Sequence, residues 1–261
     1  MTTPARQYDA TVRSRTRLTA HLVRLVLDGR GLSGFATSGV PDEWVGLVVP
    51  GQFQSRYYTV RSWSAGELTV DVVVHKRGLV TEWATRDIVG ETVAITEPRG
   101  SFAPPDDAGW LTLVGDLTAL PAMARIVESL EGHPCRDQVR AWAEVPDALE
   151  DYLPGRAGLE VTWLAPPTEA DSGLAAVVES MVWPEGPGYF WMAGESGQMR
   201  AIRKHLMRER RGTAYDVMGY WRGGAQRQPR AVDPGPIWRA GKAAGQSDEQ
   251  IWASYDDARE S

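Results

Sequence analysis

The texture of the chain changes once, near residue 105, and that change constrains the fold more than any other feature. Before it, six runs alternate apolar and polar residues or are rich in β-branched ones, at 7–14, 21–29, 44–49, 57–62, 68–75 and 91–95. They are separated by glycine-bearing turns, and the only helix-like stretch among them is 80–88. Many short strands with a single short helix predict a closed antiparallel barrel. Residues 103–109 are rich in proline, aspartate and glycine and read as a linker. Beyond them, strand-like runs at 110–114, 138–144, 158–164 and 188–193 alternate with helix-like runs at 119–130, 173–181 and 198–210. That alternation predicts a parallel sheet. The expected organisation is a β-barrel over 1–106 and an α/β domain over 107–261, the latter with a loop at 229–236 and a terminal helix at 250–259.

Composition narrows the function classes. Net charge is −6 over 261 residues, which argues against nucleic acid or an anionic membrane surface as the main partner. The single cysteine, Cys135, allows no disulfide or multi-thiolate metal site within the chain. No stretch is apolar and long enough for a transmembrane helix, and no secretory leader pattern opens the chain. The expectation is a soluble cytoplasmic protein.

Five short segments carry possible chemistry. In Arg56-Tyr57-Tyr58-Thr59-Val60-Arg61, two guanidinium groups suit phosphate, a phenol ring suits a flat heterocycle, and a threonine hydroxyl suits a ring nitrogen. Together these describe a flavin nucleotide; an ordinary amphipathic strand has the same pattern. His75, Lys76, Arg77, Gly78, Leu79, Val80, Thr81 and Trp83 form a strand–turn–helix whose glycine and helix start suit a diphosphate, or simply a turn with Thr81 as cap. Gly115, Asp116, Thr118 and Ala119 lie where the first strand of the α/β half enters its helix, the usual place for a nucleotide pyrophosphate, although the G-x-G-x-x-G fingerprint is absent. Gly194 and Glu195 sit at a second strand end, followed by Arg200, Arg203 and Lys204 on one helix face. Tyr220, Trp221 and Arg222, next to paired glycines, suit cover over a flat cofactor or a grip on an anionic ligand.

In this order the segments resemble the siderophore-interacting proteins, flavin-dependent ferric-siderophore reductases of the ferredoxin-reductase-like superfamily. Residues 56–61 are similar to the family's R-x-Y-T-V-R motif, and His75 with 78–83 to its H-x-x-G-P-A-S-x-W segment. Pro98-Arg99-Gly100-Ser101-Phe102 is similar to its G-P-x-G-S-F turn and 115–121 to G-D-E-T-A-L-P. Ala193-Gly194-Glu195 and the Tyr220-Trp221-Arg222 segment are similar to its two C-terminal signatures. The chain departs at Leu79-Val80 (Pro-Ala in the family), Glu97 (Gly) and Leu117 (Glu).

The resemblance implies FAD as cofactor, NADH or NADPH as electron source, and a ferric siderophore as substrate. Arg56 and Arg61 would hold phosphate, Tyr58 would lie on the flavin, and Thr59 would sit near its reactive nitrogen. Lys76, Arg77, Arg203, Lys204, Arg222 and Arg227 are the cations expected to attract an anionic siderophore. Glu144, at a strand end, would favour a ribose diol and hence NADH. Leu117, in place of the usual acid, keeps a ferredoxin donor open as an alternative. A non-catalytic siderophore carrier is the remaining one.

Overall fold

The structure is a computed structural model, and it describes residues 6–52, 54–75, 78–147, 149–168, 172–222 and 234–246. The first half forms strands β1 (Gln7–Arg17), β2 (Leu22–Asp28), β3 (Trp44–Val48), β4 (Arg56–Ser64), β5 (Glu67–Val73) and β6 (Thr92–Thr96), with a short helix α1 (Leu79–Ala84) between the last two. They close into an antiparallel barrel in the order β1-β2-β5-β4-β3-β6. Strand alternation makes the closure possible. In β2, Val23, Leu25 and Leu27 point into the barrel core with Val45, Val60, Val70 and Ile95 from the other strands. Helix α1 plugs one end, with Val80 and Trp83 in that core, and Trp83 Nε1 donates to Glu91 Oε2 at 2.7 Å. It ends at Ala84, short of the 80–88 run read from composition.

The second half contains β7 (Trp110–Asp116), α2 (Leu120–Ser129), β8 (Val139–Glu144), β9 (Leu159–Leu164), α3 (Leu174–Ser180), β10 (Gly188–Glu195), α4 (Ser196–Glu209) and β11 (Ala214–Trp221). The five strands are parallel, in the order β11-β10-β7-β8-β9. Central β7 is buried at every residue, as a strand covered on both faces must be. Pro121 stands in the first turn of α2, where its missing N–H costs nothing. The apolar cluster between α2 and the sheet takes in Leu22 and Val73 from the barrel, so the two halves share a core.

Two elements differ from the sequence reading. β11 is a full edge strand, although Asp216 and Gly219 weaken its strand pattern. Pro234–Ala243 forms a helix, α5, where a loop was expected over 229–236, because Pro234 and Pro236 fall in its first turn. The expected terminal helix at 250–259 lies outside the described residues.

Candidate functional site

A cleft of about 1500 Å³ opens between the barrel and the carboxyl ends of the parallel strands. Such a volume exceeds that of a usual small-ligand pocket and suits a dinucleotide with a second ligand beside it. From the barrel, Arg56, Tyr57, Tyr58 and Thr59 of β4 line it, with His75 and the turn through Gly78, Leu79, Val80 and Thr81. From the sheet come Thr118, Met218, Tyr220, Trp221 and Arg222, and from α4 Arg203.

Burial makes the β4 residues chemically distinctive. Thr59 is 5 % exposed and its Oγ1 has no hydrogen-bond partner among the described residues. An unpaired buried hydroxyl costs about 1–3 kcal/mol, so such groups are rare without a guest to satisfy. The Tyr220 hydroxyl, also buried and likewise unpaired, approaches Thr59 from β11 closely enough to interact with it. Burial pushes the Tyr58 phenol up to about 12, so it stays neutral. Arg56 is exposed to the cleft and has no ion pair among the described residues. Burial lowers the His75 imidazole below its ordinary value and keeps the ring neutral at pH 7.

The turn at Gly78 is built for close approach. Its φ is +143°, and among the described residues a Cβ there would meet only Thr81 Oγ1, at 3.9 Å. Thr81 Oγ1 accepts the His75 N–H at 3.2 Å, which ties turn to strand. Thr81 thus secures the turn from inside rather than capping α1 with its side chain.

The strand ends of the second half interlock. Asp116 Oδ1 accepts the Thr118 N–H at 2.8 Å and its hydroxyl at 2.5 Å, while Oδ2 accepts Trp221 Nε1 at 2.6 Å. Burial nevertheless raises the Asp116 carboxyl. Ser196 Oγ donates to Trp221 O at 2.7 Å, and a Cβ at Gly219 would lie 2.6 Å from that oxygen. Asp116 therefore positions Trp221 and does not itself open on the cleft. Gly115 and Ala119 pack beneath the turn, and Glu195 caps α4 through the Gln198 N–H at 2.9 Å. Gly194 lies against Asp116, where a Cβ would come within 2.8 Å of Oδ2.

Other expected contacts are also placed elsewhere. Val60 and Trp83 belong to the barrel core. The Arg61 guanidinium, expected on a phosphate, is bound by Glu128 of α2 at 2.7 and 3.0 Å. Lys204 does not line the cleft, whereas Arg203 turns to the Val217 carbonyl and does. Glu144, expected on a ribose, is 4 % exposed and accepts the Gly173 N–H at 2.7 Å, because the start of α3 closes over the end of β8. Lys76, Arg77 and Arg227 lie outside the described residues.

Several lining residues were not picked out from the sequence: Trp44, Ser55, Arg99, Met218 and, on α5, Arg239. Arg99 lies within the 98–102 turn, which Asp42 fixes by accepting the Ser101 and Phe102 N–H groups at 2.9 and 3.0 Å. Its position was legible there, but its direction was not. Arg239 returns from α5 to the barrel, within 3.4 Å of the Gly51 carbonyl, and nothing local signals that contact.

Known proteins match this arrangement. The siderophore-interacting FAD-binding domain matches residues 51–102, and the siderophore-interacting protein family matches 108–224. An NADPH-dependent ferric-chelate reductase of Escherichia coli is 29% identical over 241 residues, covering 82% of this chain and 92% of that protein. A ferric vibriobactin reductase of Vibrio cholerae is 31% identical over 179 residues, 65% of each chain. The crystal structure of a siderophore utilization protein from T. fusca superposes with a TM-score of 0.70 at 30% identity, covering 86% of this chain and 95% of that one. With family models matching both its barrel segment and its α/β half, and a 30% identical siderophore utilization protein sharing the fold over 86% of it, the chain belongs to the siderophore-interacting protein family.

Proposed function

We propose that the protein is a ferric-siderophore reductase that uses FAD and NAD(P)H. The observation that carries this reading is the facing of Arg56, Tyr58 and the unpaired Thr59 hydroxyl by Tyr220, Trp221 and Arg222 across one cleft. These residues fit FAD: an exposed cation for phosphate, a neutral phenol for a ring, a hydroxyl unsatisfied among the described residues for a ring heteroatom, and a glycine turn with space for a diphosphate. Held by these residues, FAD would supply the redox chemistry, accepting two electrons from a nicotinamide and delivering them one at a time to Fe(III).

The chain's own part is position and charge. Arg56 holds phosphate at the open end. Tyr58 and Thr59, fixed in strand β4, orient the ring. Tyr220 and Trp221 close the cleft from the sheet side and exclude water, with Trp221 held by Asp116. Arg203, Arg222, Arg99 and Arg239 give the mouth a positive field that favours an anionic siderophore over the chain's net negative charge.

Glu144 is enclosed at the end of β8 and does not itself oppose a 2′-phosphate, and the Escherichia coli relative is named for NADPH. NADPH is therefore the first donor to test. Leu117 packs into the core, so its position supplies no polar contact for a nicotinamide, which keeps reduced ferredoxin as the second donor. No helix among the described residues is long and apolar enough to cross a membrane.

Purified protein is expected to be yellow, and with NADPH and a ferric siderophore to deliver Fe(II) to a ferrous chelator. A colourless protein that takes up no added FAD overturns the proposal.

A further inference from the structure

Strand β4 is irregular at one place, directly after Thr59. Its pairing with β5 slips between Val60 and Ser62, leaving Arg61 as the extra residue of a bulge. Bulges next to binding sites re-aim the side chains around them. Both residues of this one are held from the other half of the molecule, by helix α2.

Arg125 of α2 donates from Nη1 to the Val60 carbonyl at 2.8 Å and to Glu43 Oε1 at 3.1 Å. The Val60 N–H donates to the Glu43 carbonyl at 2.9 Å. Both backbone groups of Val60 are thus held, its N–H by Glu43 and its carbonyl by Arg125. Three residues further along α2, Glu128 binds the Arg61 guanidinium with both oxygens. Arg61 also lies over the Tyr152 ring, 5.7 Å from its centroid.

The two ion pairs run in opposite senses. One joins a helix cation to a barrel anion, and the other a barrel cation to a helix anion. A sliding of α2 along β4 would break both. Three of the four groups are largely shielded: the Glu43 side chain is fully buried, and Arg125 and Arg61 are 17% and 18% exposed, whereas Glu128 is 42% exposed. Removing Glu128 would strand the shielded Arg61, and removing Arg125 the buried Glu43, which costs more than losing a surface pair.

We propose that Arg125 and Glu128 are positioning residues for the flavin site, pinning the β4 bulge so that Tyr58 and Thr59 keep their places in the cleft. The nucleotide-binding half thereby sets the redox behaviour of a cofactor gripped by the barrel. This rests on the FAD reading above. It also gives Arg61 a role in holding the two halves together in place of a phosphate contact.

The test uses Glu128→Gln, Arg125→Lys and the charge-swapped pair R61E/E128R, with Glu160→Gln as control. Glu160 pairs with Arg140 at 3.5 Å on an exposed edge of the sheet, away from the cleft. Measured for each are apo melting temperature, the visible spectrum and midpoint potential of bound FAD, and kcat and KM for a ferric siderophore.

Glu128→Gln and Arg125→Lys are expected to take up FAD and to lower kcat roughly 10-fold, since small misplacements at a reacting centre are costly. KM should change less than about twofold. The ratio of affinities for oxidised and reduced FAD should move about tenfold, some 30 mV for a two-electron couple. The swapped pair should recover spectrum and potential, and Glu160→Gln should match wild type.

Wild-type spectra, potential and kcat in Glu128→Gln would overturn the proposal whatever happens to melting temperature, and that variant decides alone if Arg125→Lys does not fold. A swapped pair that fails to hold FAD would overturn it too, returning Arg61 to phosphate. A colourless wild type sinks the FAD reading itself, whereas a yellow wild type with unaltered variants sinks only the positioning role.

Discussion

Thr59 shows how much one side chain's meaning depends on its surroundings. In the sequence it is a hydroxyl between a tyrosine and a valine, suited to a flavin or to a plain strand. In the fold it is buried and its oxygen is unpaired, which an ordinary strand threonine would not be. Thr59→Val should therefore separate stability from function. Without FAD the variant should melt at the wild-type temperature or above it, because an unsatisfied hydroxyl is gone. FAD affinity should fall about tenfold, the value of one good hydrogen bond of roughly 1.4 kcal/mol. Unchanged affinity in a fluorescence titration would remove Thr59 from the contact set. Arg61 is the opposite case: the flavin motif contains it, yet its guanidinium meets Glu128, 67 residues away.

At the scale of elements, the βα turn after β7 governs how closely the sheet approaches the cleft. Gly115 is needed there for space rather than for backbone freedom. A Cβ would lie 2.5 Å from Ala119 Cβ and 3.0 Å from Met123 Sδ. Both neighbours sit on or just before α2, which is itself tied to β4, so neither can yield cheaply. Gly115→Ala should cost about 1–3 kcal/mol by overpacking and lower the melting temperature by several degrees. A melt within one degree of wild type would count against that packing. Element types were largely legible because hydrophobic period is a local property: alternation marked the barrel strands, and β7 read as a buried run. β11 was less so. Its interior carries Asp216 and Gly219, and an edge strand needs less apolar surface than a central one.

For the whole molecule, the charge balance changes sign locally. The chain carries −6, yet Arg56, Arg99, Arg203, Arg222 and Arg239 line one cleft, opposed there by Glu82, Glu97 and an Asp71 already paired with Arg24. Such a focus raises the encounter rate for anions and is screened by salt over about 10 Å at 0.1 M. For an anionic ferric siderophore, kcat/KM should fall several-fold between about 0.02 and 0.5 M ionic strength. For a neutral ferric siderophore it should stay nearly flat. Equal slopes for the two would remove steering by the cleft. Only part of this cluster was readable in advance. Arg203 and Arg222 stood out near strand ends, whereas Arg239 reaches the cleft because α5 folds back on the barrel.

The sequence by itself determined the order of elements, the division into an antiparallel and a parallel half, and the identity of the β4 segment that lines the cleft. Periodicity, turn residues and short motifs are all read within a few residues of one another, and these features depend on nothing more distant. The tertiary structure decided which polar groups face the cleft and which serve the scaffold. Asp116 holds Trp221, Glu144 holds the start of α3, and Glu128 holds Arg61. Each of these acids looked like a possible ligand contact or an ordinary surface charge along the chain. For Asp116 and Glu144, burial and a partner 105 and 29 residues away fixed the role, since a shielded charge must be paired and only the packed fold supplies the partner; the more exposed Glu128 is fixed instead by the shielded Arg61 it pairs with.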